Sequence, residues 1–304
     1  MKTTPLYTAL FNELKEKLIL PVDLPDETVE STLNALWLTA AGHPCSAKKA
    51  TISSLPELTN DAETKLRELT TKRLEGTPLM HLTGFSHFMG LELAFNPNVC
   101  FIRPETEILG NCAVSFLQNL DAPIMIDVGC GSGNLTCGVA AAINTLRVYA
   151  VDILTSSVSL TRKNIDLCKL SNSISVFEGD AFEPLRSLDL EGKVDAVICN
   201  PPYIASSRIK GDRAHLLAHE PVEALDGGPF GFKMHQRLIR EAPFFLRDKG
   251  VLMSEFGAGQ HQQVQKLFER SGLYESVEFG HDDNGQPRVI FAIKKGVSTF
   301  ENRE

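Results

Sequence analysis

The first 80 residues place apolar side chains at intervals of three and four positions, which is the spacing of one helix face. One series runs from Leu6 through Leu10 to Leu14, and a second follows the break at Pro21. We therefore predict a small helical bundle over residues 1–80. Because a sheet domain does not need such a bundle to fold, we expect the bundle to recognise a macromolecular partner. The alternative is a stabilising appendage.

From residue 122 the pattern changes to short apolar runs, rich in β-branched residues, that alternate with helical segments. This alternation is typical of a parallel sheet covered by helices. The predicted strands lie at residues 124–128, 147–152, 174–178, 194–199, 251–256, 274–279 and 288–293. A turn signal between the last two predicts a hairpin. We therefore predict an α/β fold with a Rossmann-like seven-stranded sheet, mostly parallel, with an antiparallel edge strand.

A segment with its own pattern separates the two parts. The sequence Phe88-Met-Gly-Leu-Glu-Leu-Ala-Phe95 suggests a hairpin around Gly90. We predict three divisions of the chain: a helical partner-recognition domain at 1–80, a hairpin connector at 81–110 and the sheet domain at 111–304.

Composition limits the partners and the compartment. The chain has 43% hydrophobic and 22% charged residues, as an ordinary soluble protein does, and a formal net charge of −8. That charge argues against a protein whose main task is to wrap nucleic acid, because phosphate binding needs a basic face. Neither a membrane span nor a signal-peptide pattern is found in the sequence. We expect a cytoplasmic monomer without membrane contact or direct nucleic-acid contact.

Neither disulfides nor a metal site is predicted. The seven cysteines are scattered and include no C-x-x-C pair, which favours free, mostly buried thiols. His215 and His219 are four positions apart, so on a helix they would share a face. No third ligand stands at a recognisable spacing, and we expect no metal.

Candidate chemistry begins with Asn200-Pro-Pro-Tyr203, directly after the apolar run of residues 194–199. The prolines end the strand, since neither can donate a ladder hydrogen bond. Asn200 is thereby held at the carboxyl end of a strand, where ligands bind in open α/β sheets. Its amide offers an acceptor oxygen and two donor hydrogens, and Tyr203 adds an aromatic face. The motif suits a planar nitrogen-bearing group, and taken alone it equally suits a plain strand-ending turn.

A glycine-rich turn, Asp127-Val-Gly-Cys-Gly-Ser-Gly133, lies between the first predicted strand and a helix. Its glycines let the backbone approach a ligand without a Cβ in the way, and their spacing is not the dinucleotide pattern. Asp152 ends the second strand, in position to accept hydrogen bonds from ribose hydroxyls. Asp180 follows the third, where it or the adjacent backbone would meet an adenine amino group. No P-loop lysine follows the glycines, so S-adenosylmethionine fits better than a nucleoside triphosphate.

Taken in order, these segments resemble class I S-adenosylmethionine-dependent methyltransferases that methylate an amide or amino nitrogen. More closely, the chain resembles the HemK/PrmC family, the protein-(glutamine-N5) methyltransferases acting on peptide chain release factors. The Asn-Pro-Pro-Tyr motif also occurs in DNA adenine methyltransferases. The helical N-terminal part and further segments make the resemblance specific: Gly76-Thr-Pro-Leu-Met-His-Leu-Thr-Gly84, Ile102-Arg-Pro-Glu-Thr-Glu107, Glu220-Pro-Val-Glu-Ala-Leu225 and Glu255-Phe-Gly-Ala-Gly-Gln260. The sequence departs from the family's usual residues at Cys130, Ala181 and Cys100-Phe101.

The resemblance implies methyl transfer to the side-chain amide N5 of the glutamine in a Gly-Gly-Gln motif of release factors. Asn200 Oδ1 and the Pro201 carbonyl would hold the N–H groups of that amide, and Tyr203 would pack on its flat face, so that alignment supplies most of the rate. The implied cofactor-binding residues are Asp127, Gly129, Cys130, Gly131, Ser132, Gly133, Asp152, Asp180, Ala181 and Asn200. The implied substrate-binding residues are Asn200, Pro201, Pro202, Tyr203, Arg103 and Glu220.

Several alternatives stay open at the level of sequence. Arg103 and Glu107 suit a surface ion pair and equally suit the wall of a pocket between the two domains. Glu220 suits a residue that covers the site or contacts the partner and equally suits a helix cap. A ribosomal-protein glutamine would suit the same chemistry as a substrate. A nucleic-acid amino N-methyltransferase would need a basic recognition surface, whereas residues 1–80 contain nine basic and eleven acidic residues. A cofactor-binding protein without turnover is disfavoured by the intact Asn200 and Asp152.

Overall fold

The computed structural model describes residues 4–213, 217 and 220–296. The chain divides into two compact units, one formed by residues 1–97 and 101–104 and the other by residues 98–100 and 105–304. The connector predicted at 81–110 is divided between them, because its hairpin packs with the helices and its last residues begin a helix of the sheet unit. The recognition role of the helical part stays a prediction.

The N-terminal unit is a helical bundle followed by a hairpin. Thr28 shows why its helices begin where they do: its side chain accepts a hydrogen bond from the Ser31 backbone and forms a capping box. At the start of each neighbouring helix the side chain of Thr4, Ser46 or Thr59 likewise accepts a hydrogen bond from the backbone three residues on, without a capping box. The elements are α1 (Pro5–Lys17), α2 (Val29–Ala40), α3 (Ala47–Ile52), α4 (Asn60–Leu74), α5 (Leu79–Thr83), β1 (Phe85–Phe88) and β2 (Leu91–Ala94).

Helix α2 is the centre of this bundle, since ten of its twelve residues are buried. Beside it, Arg73 Nη2 of α4 donates to Glu27 Oε2 across 2.9 Å, and both side chains are less than a tenth exposed. Removing one member of a buried pair strands the charge of the other, so this contact fixes how α4 meets the start of α2.

The C-terminal unit alternates strands and helices after one leading helix. Its elements are α6 (Glu107–Leu117), β3 (Ile124–Val128), α7 (Asn134–Ala142), β4 (Arg147–Asp152), α8 (Thr155–Leu167), β5 (Ile174–Glu178), β6 (Val194–Cys199), α9 (Ser206–Ile209), α10 (Lys233–Phe245), β7 (Leu246–Glu255), α11 (His261–Ser271), β8 (Tyr274–His281) and β9 (Pro287–Lys294). Single 3-10 turns at Glu183–Leu185 and Val222–Ala224 stand in its loops.

The strands form one seven-stranded sheet in the order β5-β4-β3-β6-β7-β9-β8. Neighbouring pairs from β5 to β7 are parallel, and β9 runs antiparallel to both β7 and β8. The predicted α/β class and mostly parallel seven-stranded sheet are confirmed. The antiparallel strand, however, is not at the edge: β9 lies one place inside it and β8 forms the edge. The more apolar of the two final strands takes the buried interior place, with Val289, Ile290 and Ala292 inaccessible to solvent.

The sheet order positions the candidate site. The chain order reverses between β3 and β6, and the carboxyl ends of the parallel strands meet at one edge of the sheet. Ligands bind at such a reversal in doubly wound folds. The turns after β3, β4, β5 and β6 all open onto this edge. Within the described residues, no helix combines the length and the apolar character needed to cross a membrane.

Candidate active site

A cleft of about 720 Å³ opens at this edge of the sheet, within the C-terminal unit. The residues that line it end or follow four parallel strands, stand in loops beside them or begin the helices α8 and α10: Cys100, Val128, Gly129, Gly131, Asp152, Ile153, Leu154, Ser157, Asp180, Ala181, Cys199, Asn200, Pro201, Pro202, Glu223, Ala224 and Met234.

The glycine-rich turn is fastened to its neighbours by hydrogen bonds. Gly129 and Cys130 both donate from the backbone to the Val151 carbonyl, across 2.8 and 3.0 Å. From α8, Thr161 Oγ1 donates to the Gly131 carbonyl across 3.0 Å. Gly129 and Gly131 have φ of +72° and +58°, and an ideal Cβ on either would meet no atom within 4 Å. The turn therefore presents bare backbone to open space on the cleft side.

Asp127 lies behind the turn and does not line the cleft. It is only 1% exposed, and its Oδ2 accepts a hydrogen bond from Thr136 Oγ1 across 2.6 Å. Among the described residues, Oδ1 has no hydrogen-bond partner. Burial raises the pKa of Asp127 to about 7. This geometry gives Asp127 a supporting position under the turn.

Asp152 links the turn to the end of β4. Its Oδ2 accepts from the Gly131 backbone across 2.8 Å and its Oδ1 from the Leu154 backbone across 2.9 Å. Burial raises the pKa of Asp152, and these backbone hydrogen bonds oppose the rise. Each carboxylate oxygen has a second lone pair. The carboxylate can therefore hold the turn and still accept hydrogen bonds from a ligand in the cleft.

Asp180 follows β5 and forms an ion pair with Arg237 of α10. Arg237 Nη2 also donates to the Asp180 carbonyl across 3.1 Å. The next residue, Ala181, is buried with φ of +51°, a backbone conformation that costs energy for a residue with a Cβ. Arg237 thus holds this strained turn at the rim of the cleft.

Asn200 stands at the carboxyl end of β6, and its side chain contacts the residue before α6. Asn200 Nδ2 donates to Thr106 Oγ1 across 3.0 Å. Thr106 is 2% exposed, and although it occupies the N-cap of α6 its hydroxyl makes no capping hydrogen bond. The hydroxyl serves Asn200 instead, and the contact engages the amide nitrogen rather than Oδ1.

The turn that carries Tyr203 is fixed by a glutamine. Gln260 Nε2 donates to the Tyr203 carbonyl across 3.0 Å, and Gln260 Oε1 accepts from the Gly257 backbone across 2.8 Å. Tyr203 Oη lies 3.5 Å from Oε1 of the buried Glu255, at the long limit for such a bond. Gly257 also fits closely, because an ideal Cβ there would lie 3.1 Å from Tyr203 Cδ2.

The two remaining predicted substrate residues lie in different units. Glu220 is 5% exposed, and its Oε2 accepts from the Cys100 thiol across 3.0 Å. Cys100 lines the cleft and Glu220 does not. Arg103 belongs to the N-terminal unit, where its Nη1 donates to the Phe101 carbonyl across 3.4 Å.

The structure brings together eight of the residues predicted for this site, and they are Gly129, Gly131, Asp152, Asp180, Ala181, Asn200, Pro201 and Pro202. The predicted residues outside the lining are Asp127, Cys130, Ser132, Gly133, Tyr203, Arg103 and Glu220. Sequence reasoning missed Ile153 and Leu154, which their place directly after Asp152 could have revealed. It also missed Met234, Arg237 and Thr106, for which no spacing gives a signal.

No group of acidic, histidine or cysteine residues that could hold a metal ion occurs in the part of the chain that the structure describes. His215 and His219, the pair with metal-like spacing, lie outside the described residues. The seven cysteines are all free.

Comparison with known proteins now identifies the family. The family model of the methyltransferase small domain matches residues 110–232. The release factor glutamine methyltransferase of Gloeobacter violaceus is 35% identical over 227 residues, which cover 74% of this chain and 78% of that protein. The chain belongs to the release factor glutamine methyltransferase family.

One further relative agrees with membership of this family, and one solved structure shares the fold. The release factor glutamine methyltransferase of Bacillus cereus is 31% identical over 242 residues, covering 78% of this chain and 83% of that protein. The catalytic domain of hMettl16, solved in complex with MAT2A 3'UTR hairpin 1, has a TM-score of 0.56 and 15% identity over 76% of this chain and 82% of that chain. The latter likeness shows the fold alone. The predicted family and the predicted enzyme class, a methyltransferase, are confirmed.

Proposed function

We propose that this chain transfers a methyl group from S-adenosylmethionine to the side-chain amide N5 of a glutamine in a peptide chain release factor. Two relatives that cover most of the chain carry the name release factor glutamine methyltransferase. The observation that carries the proposal is Asn200, which lines the same cleft as Gly129, Gly131 and Asp152 with its amide nitrogen held by Thr106. Location in the cytoplasm and a monomeric state stay predictions.

The residues of the cleft fit an adenosyl group. The missing Cβ atoms of Gly129 and Gly131 leave open space along the turn, and Asp152 keeps acceptor capacity for ribose hydroxyls. Ile153, 59% exposed at the lining, provides an apolar surface for a base. The Asp180 backbone and side chain stand at the rim. Asp127, Cys130, Ser132 and Gly133 would support the turn from behind.

S-adenosylmethionine, when bound, supplies an electrophilic methyl group on a sulfonium centre. The task of the protein is then to present an amide nitrogen whose lone pair is delocalised into its carbonyl. We assign Asn200 Oδ1 and the Pro201 carbonyl to accept hydrogen bonds from the two N–H groups of the target amide. Acceptors placed this way orient the nitrogen and favour its pyramidal form. In well-oriented reactions, alignment of this kind lowers the activation barrier by about 7–11 kcal/mol.

The neighbouring residues would complete the substrate site. We assign Tyr203 to the flat face of the target amide, since Gln260 and Gly257 fix the turn that carries it. Pro202 lines the cleft next to Asn200. Arg103 and Glu220 are proposed as substrate-binding residues in line with the family resemblance of their segments.

The proposal is tested by supplying labelled S-adenosylmethionine with a purified release factor, a purified ribosomal protein fraction or DNA and RNA in separate reactions. We expect label on the release factor alone. We also expect Asn200→Ala to lower kcat, measured at saturating S-adenosylmethionine, by at least about 100-fold, the scale seen when a positioned polar group of an active site is removed. Label on the ribosomal protein or nucleic acid, and none on the release factor, would overturn the proposal.

A further inference from the structure

Phe230 is an aromatic side chain that stands almost fully in solvent, with 79% of its surface exposed. Single exposed apolar residues are ordinary on protein surfaces, so exposure alone carries no conclusion. The exposure of Phe230 is informative because of the loop that carries it. The backbone of this loop is held by hydrogen bonds and packs against the Asn-Pro-Pro-Tyr turn of the candidate active site.

The loop of residues 226–233 is braced at both ends. The Gly227 backbone donates to the Ile204 carbonyl and the Lys233 backbone to the Gly227 carbonyl, each across 2.9 Å. Ser206 donates from its backbone to the Gly228 carbonyl across 2.9 Å. Gly228 N in turn donates to Asp226 Oδ1 across 2.8 Å. These bonds hold the backbone of the loop in a defined place.

The same loop packs directly on the Asn-Pro-Pro-Tyr turn. An ideal Cβ at Gly227 would lie 2.7 Å from the Pro202 carbonyl oxygen, and one at Gly231 would lie 2.3 Å from the Tyr203 carbonyl oxygen. Neither position tolerates a side chain, so the backbone of the loop is pressed against the turn that presents Asn200. Phe230 stands between these two glycines and does not line the cofactor cleft.

We propose that Phe230 is a docking residue for the polypeptide that carries the target glutamine. The inference rests on the proposed function, in which a folded protein must bring one side chain to Asn200 and lay the chain around it over the rim of the cleft. Phe230 would contact the apolar side chains and peptide planes of the protein substrate next to the target glutamine. A loop backbone that is already held in place loses little conformational entropy on binding, and aromatic residues are enriched at protein interfaces.

A second exposed apolar residue of this region supports the assignment. Val222 is 43% exposed and precedes Glu223 and Ala224, which line the cleft. The segment that follows it pairs with Ile204 in the same bridge as the start of the Phe230 loop, since the Ile204 backbone donates to the Leu225 carbonyl across 3.1 Å and accepts from the Gly227 backbone. Exposed apolar side chains therefore stand both before and after the bridge that joins this part of the chain to the residue after Tyr203.

The test compares Phe230→Ala with the unaltered chain in steady-state methyl transfer to an intact release factor. Leu273→Ala is the matched control. Leu273 is 41% exposed and directly precedes β8, the outermost strand, away from the cleft. We expect Phe230→Ala to raise KM for the release factor about tenfold, as loss of an interface anchor does. We expect kcat and KM for S-adenosylmethionine to stay within about twofold of the unaltered chain, and Phe230→Trp to restore most of the affinity.

The outcomes distinguish a failure of the docking role of Phe230 from a failure of the proposed function. Equal KM values for the release factor in the unaltered chain and in Phe230→Ala would overturn the docking role alone. A rise in KM for S-adenosylmethionine, or a fall in melting temperature that Phe230→Trp does not reverse, would also overturn it, because the residue would then act through the fold of the loop. Absence of transfer by the unaltered chain would overturn the proposed function and this inference with it.

Discussion

Asn200 Nδ2 donates to Thr106 Oγ1 across 3.0 Å, although 94 positions separate the two residues in the chain. The contact joins the carboxyl end of β6 to the start of α6. Thr106 is buried and its hydroxyl does not cap the helix it precedes. A hydroxyl that is free of a capping role and buried against the amide of Asn200 fixes the rotation of that amide, and so decides which of its atoms faces the cleft.

The first prediction follows from this contact. Thr106→Val keeps the shape and removes the hydroxyl, so the Asn200 amide loses its partner and turns more freely. A neutral hydrogen bond contributes about 0.5–1.5 kcal/mol, and 1.36 kcal/mol is tenfold in rate, so we expect kcat to fall about tenfold. We expect Thr106→Ser to retain most of kcat. Steady-state kinetics measures both, and an unchanged kcat in Thr106→Val with a loss in Thr106→Ser would show that the methyl of Thr106, not its hydroxyl, is what matters.

The second prediction concerns Asp152. Asp152→Asn has one acceptor oxygen where the carboxylate has two, so either Gly131 N or Leu154 N loses its hydrogen bond, and the ribose loses a charged acceptor. We expect the Kd for S-adenosylmethionine to rise at least about tenfold, the scale of one charge-assisted hydrogen bond. Isothermal titration calorimetry measures the change. The matched control is Asp166→Asn on the exposed face of α8, for which we expect the Kd of the unaltered chain.

The third prediction concerns Gly133, which ends the glycine-rich turn with φ of +76°. An ideal Cβ there would lie 2.8 Å from Thr161 Cγ2. Gly133→Ala therefore adds both a strained backbone and a steric clash, and we expect it to lower the free energy of unfolding by about 1–3 kcal/mol. Thr161→Ser removes the clashing methyl. In denaturant titrations the double variant should recover part of the loss, and a loss that is unchanged by Thr161→Ser would rule out the clash.

The fourth prediction is a pH dependence. His235 is inaccessible to solvent, its Nε2 lies 3.0 Å from the Glu255 carbonyl oxygen, and burial lowers its pKa to about 4. Because the unfolded chain takes up this proton near pH 6.5 and the folded chain does not, the stability that His235 contributes is complete above pH 6.5 and is lost as the pH falls towards 4. His235→Gln removes the titrating group and should flatten this part of the profile.

Asp127 contributes a pH dependence of stability with the opposite sign, and its contribution has to be distinguished from that of His235. Burial raises its pKa to about 7, so its contribution is complete below its unfolded value near 4 and is lost as the pH rises through 7. The two slopes partly cancel between pH 4 and 6.5 in the unaltered chain. The difference in the free energy of unfolding between the unaltered chain and His235→Gln isolates the histidine, and a difference that does not vary with pH would contradict its assigned pKa.

The parts of the site that the sequence predicts are those that directly follow apolar strands. Gly129, Asp152 and Asn200 each end or follow such a run, and parallel strands bring their carboxyl ends to one edge of the sheet. The residues that hold these groups are different. Thr106 and Arg237 reach their partners across long stretches of chain, and no periodicity records which side chain will meet a hydroxyl or a carboxylate after folding.

The order of the last two strands illustrates the same limit. Both read as strands from their pattern, and the turn signal between them predicts the hairpin. Their places in the sheet depend on which one is buried more deeply, and the more apolar β9 takes the interior place. Two neighbouring strands of similar length do not reveal this outcome until the packing around them is known.

Mass mapping of a release factor after incubation with this protein and S-adenosylmethionine tests most directly whether Asn200 positions the target glutamine amide. The account predicts a single added methyl group on the glutamine of the Gly-Gly-Gln tripeptide, present with the unaltered chain and absent with Asn200→Ala that still binds the cofactor. A methyl group on any other residue, or the same product from Asn200→Ala, would contradict the assignment of Asn200 to the target amide.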